Sequence, residues 1–208
     1  KATSNICTAQ ALLAVMASMY AVWHGPDGLK AIAERVNRLA CIFADGARAA
    51  GLSVTSDYFF DTVHIETDKA DEVMEAAVRA GFNLRRTTRG VSLSFDETSN
   101  EQVVRTLWQI FGINADFETC DQKRLGSVPL PLDRQSDYLT HPVFHNYRSE
   151  TEMMRYLRHL ADKDLALDRT MIPLGSCTMK LNSAAEMMPI SWAEFADIHP
   201  FCPAEQAA

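Results

Sequence analysis

The chain has 208 residues, enough for one large domain or two small ones, and its 47% hydrophobic and 23% charged content is typical of a globular protein. Its formal net charge of -7 argues against nucleic acid as a partner. The longest apolar run, residues 11–23, is shorter than the roughly 20 residues that cross a bilayer, so we expect no membrane partner.

The cysteines argue against a disulfide framework. They are odd in number, and none of them forms a C-x-x-C pair. The five are Cys7, Cys41, Cys120, Cys177 and Cys202. A reducing compartment fits this pattern best. The first residue is not Met and no closing element precedes Ala208, so we expect the chain to be part of a longer polypeptide.

Two long helices are predicted first. Residues 6–23 are apolar on all sides, which predicts a helix buried all round. Gly25 and Pro26 predict its end and the first turn of the next helix. Gly51 is the predicted stop of the second helix. The apolar residues of that helix follow i, i+3, i+4, i+7 spacing and are Leu29, Ile32, Ala33, Val36, Leu39, Ala40 and Phe43.

Shorter elements follow, and they predict an α+β fold class. In order they are strands at residues 52–54 and 58–66, a helix at 71–80 with Val73, Met74, Ala77 and Val78 on its apolar side, hairpin strands at 82–86 and 91–95, and a helix that a capping box at residues 98–101 opens and that runs to Phe111. We interpret Arg85, Arg86 and Arg89 as flanking the hairpin turn rather than binding phosphate.

The remainder of the chain is predicted to be irregular and then helical. Residues 113–137 have no sustained period and contain "SVPLPLD", which predicts an irregular linker. A capping box at residues 149–152 predicts a helix to about Ala161, and short helices are predicted near residues 184–188 and 192–198.

Two polar segments are candidates for chemistry. In "IPLGSCTMKLN", residues 172–182, side chains either satisfy the loop's own backbone or bind a carboxylate or phosphate through Ser176, Thr178 and Lys180. The polar residues at the start of the chain either cap the first helix or bind an anion. His141, His145 and His199 are interpreted as packing or capping groups, and no metal site is predicted.

Several of these segments resemble those of a known family, in the same order along the chain. The segments are "ATSNICTAQALLA", "YAVWHGPDGL", "FFDT", "LTHPVF", "SETEMMRYL", "KDLAL", "MIPLGSCTMKLN", "EMMPISWAEFADIHPF" and "PAEQA". Together they resemble glycine dehydrogenase (decarboxylating), the pyridoxal-phosphate-dependent P-protein of the glycine cleavage system. Only residues 113–137 match weakly.

The resemblance implies a place for this chain within a larger enzyme built from two halves of the fold type I class. Residues 1–112 would be the small α+β domain of the cofactor-free half, and residues 113–137 the linker. Residues 138–208 would be the N-terminal helical arm of the cofactor-binding half. The partners implied are the other half of the same enzyme, a homo-oligomeric copy, glycine and the lipoylated H-protein. The compartment implied is the bacterial cytoplasm or the mitochondrial matrix.

The resemblance also implies roles for particular residues. Thr3, Ser4 and Asn5 would contact the phosphate of pyridoxal phosphate. A second group would form an active-site wall around the glycine carboxylate or the lipoyl entrance: Ser176, Cys177, Thr178, Lys180 and Asn182. The family's Schiff-base lysine follows a histidine, and this sequence contains no "HK". We therefore predict no catalytic residue here, and no activity or cofactor binding by the chain alone. The alternative is an autonomous interaction or scaffold domain without catalysis.

Overall fold

The structure is a computed structural model that describes residues 10–122, 128–163 and 184–207. The chain divides into two compact units, one ending at His145 and the other beginning at Asn146. The helices are α1 (Gln10–Ala49), α2 (Ala70–Arg79), α3 (Glu101–Ile110), α4 (Phe117–Gln122), α5 (Val143–Asn146), α6 (Glu150–Ala161), α7 (Ala184–Met187) and α8 (Ala193–Ala196). The strands are β1 (Ser53–Val54), β2 (Thr62–Glu66), β3 (Arg85–Arg86) and β4 (Gly90–Ser94), and short 3-10 turns occur at Leu130–Leu132, Met188–Ser191 and Ala204–Gln206.

α1 consists of two helical segments joined at a kink. Gly25 has φ 62° and ψ -176°, a conformation that glycine adopts without a steric penalty. Pro26 follows and has no N–H to donate to the helix. Gly51, with φ 82°, lies just past the end of α1. The predicted break and the predicted stop are both confirmed.

The strands form one antiparallel sheet in the order β1-β2-β4-β3. The predicted hairpin is confirmed, with Arg85 and Arg86 in β3 and Arg89 in its turn. β2 is shorter than predicted, because the backbone before it does not pair with a strand. The carbonyls of Phe59 and Phe60 instead accept hydrogen bonds from the side chain of Asn37.

The core lies between one face of the sheet and the helices. Phe43 of α1 is fully buried, with ring centroids 6.0 Å from Phe95 and 5.6 Å from Phe111. α2 covers Val91 with Ala70 and Val73. The prediction that Val78 lies on the buried side of α2 is wrong, because Val78 is 51% exposed.

Of the two predicted capping boxes, the one that begins α6 is confirmed and the one that begins α3 is wrong. Ser149 caps α6 and receives a hydrogen bond from the Glu152 N–H at 3.3 Å, which confirms that capping box. At α3 the N-cap is Asn100, whose side chain accepts from the Val103 N–H at 3.1 Å. Thr98 bonds to Asp96 instead, so the predicted box there is wrong although the helix is present.

The first segment of α1 is not buried all round, contrary to the sequence prediction. Leu12, Leu13 and Met16 are between 59% and 66% exposed, whereas Val22, next to the kink, is 3% exposed. Within the part of the chain that the structure describes, no helix combines the length and hydrophobicity needed to traverse a bilayer.

The predicted linker is partly helical. α4 falls within residues 113–137, where an irregular backbone was predicted. It is joined to α3 by Arg105 and Glu118, whose side chains meet at 2.8 Å, and its Phe117 ring lies 6.2 Å from Trp108. These contacts order the residues around α4. The division into domains at residues 112 and 137 stays a prediction.

Candidate functional site

The residues predicted to bind cofactor or substrate lie outside the residues that the structure describes. Thr3, Ser4 and Asn5 precede α1. The substrate-loop residues lie between α6 and α7, and they are Ser176, Cys177, Thr178, Lys180 and Asn182. The structure therefore defines the elements that flank both segments and leaves the roles of these residues as predictions.

α6 is the element that precedes the predicted loop. Stacking of Tyr147 on Tyr156, with centroids 4.0 Å apart and 10° between planes, holds the residues before the helix against its middle. Arg158 and Asp162 form an ion pair at 3.1 Å near its end. Side-chain contacts therefore brace both the start and the end of α6.

An exposed apolar surface follows the predicted loop. Its members are Met187, Met188, Ile190, Trp192, Phe195, Ile198 and Phe201, with exposures from 43% to 90%. The rings of Trp192 and Phe195 lie 6.3 Å apart. A small-molecule site buries most of its ligand, and this surface is open to solvent.

The three histidines that invited a metal interpretation cap the local backbone. His141 Nδ1 accepts from the Val143 N–H at 3.1 Å, and His199 Nδ1 accepts from the Phe201 N–H at 3.0 Å. His145 Nε2 lies 3.1 Å from the Leu139 carbonyl oxygen. The capping interpretation is confirmed. A search of the described ranges finds no group of three or more His, Cys, Asp or Glu side chains placed to hold a metal ion.

A histidine on the outer face of the sheet was not singled out from the sequence. His64 lies between Thr55, at 2.6 Å from Nδ1, and Thr87, at 2.8 Å from Nε2. Histidine beside a hydroxyl is the arrangement of a base and a nucleophile. Here both ring nitrogens are engaged by hydroxyls, one of Thr55 just past β1 and one of Thr87 in the turn between β3 and β4. We assign this group a structural role, as a cross-strand contact.

The turn before α3 carries a perturbed carboxylate. Burial opposes ionisation of Asp96, but hydrogen bonds from the hydroxyls and N–H groups of Thr98 and Ser99 outweigh it, so the pKa of Asp96 is lowered. Arg35 of α1 donates to the carbonyls of Glu97 and Ser99 at 2.9 and 2.7 Å. These hydrogen bonds fix the turn to α1, and we assign Asp96 a structural role.

The fold places the first unit in the α+β class: one antiparallel sheet with helices packed on a single face. A family model described as glycine cleavage system P-protein matches residues 1–111. The chain belongs to the glycine cleavage system P-protein family.

Curated relatives extend the match over the whole chain. Over 209 residues, the chain is 57% identical to a glycine dehydrogenase (decarboxylating) of Xanthomonas axonopodis pv. citri, covering 100% of this chain and 21% of the relative. A protein of the same name from Gluconobacter oxydans is 56% identical over 99% of this chain and 22% of its own length. One from Bradyrhizobium sp. is 54% identical over 100% and 22%. The chain therefore spans about a fifth of the length of these enzymes.

The described residues do not fit the Schiff base that the family's cofactor requires. An imine-forming lysine needs a lowered pKa, from burial or from a neighbouring cation. Lys30, Lys69 and Lys163 are all exposed, and Lys30 lies 3.7 Å from Glu34, an anion rather than a cation. We therefore assign none of these lysines to pyridoxal phosphate.

Proposed function

We propose that the full-length protein to which this chain belongs decarboxylates glycine with pyridoxal phosphate and passes the aminomethyl group to the lipoyl arm of the H-protein. When bound, the cofactor ring supplies the electron sink for loss of carbon dioxide. The observation that supports this most directly is identity of 54% to 57%, across the chain, with proteins named glycine dehydrogenase (decarboxylating).

Within that enzyme, we propose that this chain supplies binding groups rather than the imine-forming lysine. Thr3, with Ser4 and Asn5, would donate hydrogen bonds to the cofactor phosphate. Ser176, Thr178 and Lys180, with Cys177 and Asn182 in the same loop, would line the active site around the glycine carboxylate or the lipoyl entrance. Hydroxyl and ammonium groups suit this role because charge-assisted hydrogen bonds to an anion are stronger than neutral ones.

The architecture proposed for the whole protein is a pair of fold type I halves. The α+β unit would be the small domain of the half without cofactor, and residues 138–208 would begin the half that binds it. A homo-oligomer, in a bacterial cytoplasm or a mitochondrial matrix, completes the proposal. The sheet of the first unit, with helices on one face, is compatible with such a small domain.

A chimera tests the activity. This chain replaces the matching 209 residues of the Xanthomonas axonopodis relative, and glycine-dependent carbon dioxide release is measured with lipoylated H-protein. We expect activity of the same order as that of the unmodified relative. A chimera that folds and binds pyridoxal phosphate but releases no carbon dioxide contradicts the proposal and favours a scaffold role.

The isolated chain tests whether the imine-forming lysine lies outside this chain. It is incubated with pyridoxal phosphate, reduced with borohydride and digested, and labelled lysines are identified by mass spectrometry. We expect no stoichiometric label, because an ordinary lysine with a pKa near 10.4 is almost wholly protonated at neutral pH. Selective labelling of Lys180 together with glycine-dependent carbon dioxide release would place the catalytic centre in this chain.

A further inference from the structure

The first segment of α1, residues 12–24, exposes large side chains to an unusual degree. We call it the apolar segment. Six of its large hydrophobic residues are between 38% and 66% exposed: Leu12, Leu13, Val15, Met16, Tyr20 and Trp23. The segment contains no Asp, Glu, Lys or Arg. An uncharged helix that is apolar on all sides is characteristic of the interior of a large protein.

The apolar segment has two different faces. At about 100° per residue, Leu12, Leu13, Val15, Met16 and Tyr20 fall within roughly 160° of the helix circumference. The opposite side carries four small residues, Ala14, Ala17, Ser18 and Ala21, with Val22 and His24 beside them near the kink. A face of large side chains fits a hydrophobic core, and a face of alanine and serine lets another backbone approach closely.

The apolar segment is also held in place at its end nearest the kink. Val22 is 3% exposed. The Tyr20 hydroxyl lies 3.3 Å from a carboxylate oxygen of Glu97, and the Tyr138 hydroxyl donates to the Pro26 carbonyl at 2.6 Å. These contacts fix the direction of the segment even though its large side chains are exposed in this chain. A surface that is preorganised in this way loses less conformational entropy on docking.

The length of the relatives identifies the occupant. They match this chain throughout, and each relative is about five times as long as this chain. We propose that the apolar segment docks into the part of the same full-length polypeptide that lies outside this chain, and that both faces become buried there. A charged partner surface fits poorly, because its charges would lose their hydration and the segment offers no opposite charge in compensation. This inference rests on family membership and is independent of the proposed glycine chemistry.

Hydrogen exchange measured by mass spectrometry tests the docking. The probe is the full-length Xanthomonas axonopodis relative, with no other protein present, beside the isolated 208-residue chain. We expect amides that match residues 12–24 to exchange about a hundredfold more slowly in the relative, because a packed helix opens far less often than an exposed one. Equal exchange rates in the two proteins overturn the inference. Protection that disappears when the relative is diluted to monomers assigns the surface to a second copy, and also overturns it.

Charge insertion provides a second readout. Leu13→Lys combined with Met16→Lys is compared with Val78→Lys, which alters an exposed valine of α2. In the isolated chain we expect all three substitutions to leave the melting temperature unchanged. In the chimera described above, we expect the double variant to aggregate or melt at lower temperature and Val78→Lys to be tolerated. A chimera unaffected by the double substitution contradicts docking inside the polypeptide. If the parent chimera does not fold, the exchange experiment decides alone.

Discussion

Trp108 lies so close to Gly46 that a Cβ added at position 46 would come within 2.5 Å of the indole ring. The indole Nε1 also donates to the carbonyl of Phe43, one turn earlier on α1, at 3.1 Å. Trp108 is only 2% exposed. This contact joins α3 to α1, and it depends on the absence of a side chain at residue 46.

Gly46→Ala is expected to destabilise the first unit. Overpacking a buried contact costs about 1–3 kcal/mol, while the higher helix propensity of alanine returns about 1 kcal/mol. Urea unfolding should therefore give a net loss of up to about 2 kcal/mol. In a Trp108→Leu background the indole is gone, and Gly46→Ala should then be neutral or stabilising. An equal cost in both backgrounds would show that the ring is not the cause.

Asn37 is expected to be essential for the loop before β2. Its amide donates to the carbonyls of Phe59 and Phe60, at 3.2 and 2.7 Å, and its side chain is buried with the residue 7% exposed. Asn37→Leu removes both donors and should reduce the free energy of unfolding by about 1–3 kcal/mol. It should also speed proteolysis at Tyr58. Asn37→Asp is the matched control, because it keeps the size but lacks the donors, and a fully stable Asp variant would refute this explanation.

Asp96 is expected to make stability depend on acid pH. Its pKa is lowered in the folded protein because hydrogen bonds from Thr98 and Ser99 outweigh the opposing effect of burial. The unfolded carboxyl has a pKa of about 3.9, so the contribution is complete above that pH and is lost as pH falls through the lower folded value. Melting curves between about pH 6 and about pH 3 should show the difference between wild type and Asp96→Asn shrinking. A difference that stays constant across this range would contradict the explanation.

Tyr138 is expected to protect the C-terminal end of the predicted linker. Its hydroxyl bonds to Pro26 at 2.6 Å, and Arg134 lies over its ring with 5.2 Å to the centroid. Tyr138→Phe should cost about 0.5–1.5 kcal/mol and speed trypsin cleavage after Arg134. Cleavage after Arg105, within α3, is the internal control and should stay slow. Faster cutting at Arg105 than at Arg134 would also count against the predicted linker.

The predicted binding residues are tested in the chimera. Thr3→Ala should weaken retention of pyridoxal phosphate, because loss of a hydrogen bond to a charged group costs about 1.5–3 kcal/mol. Ser176→Ala and Thr178→Ala should lower glycine turnover more than stability. Ser56→Ala, in the α+β unit, serves as the control. Unchanged cofactor affinity and turnover in all three variants would remove these residues from the site.

Local signals in the sequence determined many of the elements. Gly25 and Pro26 marked the kink in α1, because one tolerates a positive φ and the other lacks an N–H. The capping box at Ser149 placed the start of α6, and the helix ends at Ala161 as predicted. Segments such as "MIPLGSCTMKLN" indicated the family, since long motifs in a fixed order carry information that composition does not.

Tertiary structure decided what depends on neighbours distant in sequence. Asn100 rather than Thr98 caps α3, because Asp96 engages the Thr98 hydroxyl and Arg35 holds the turn. α4 formed inside the predicted linker, since its residues pack on α3. The apolar segment was predicted to be buried, but its hydrophobicity indicates only that burial would be favourable. Whether it does so depends on which polypeptide lies against it, and in this chain Leu12, Leu13 and Met16 face solvent.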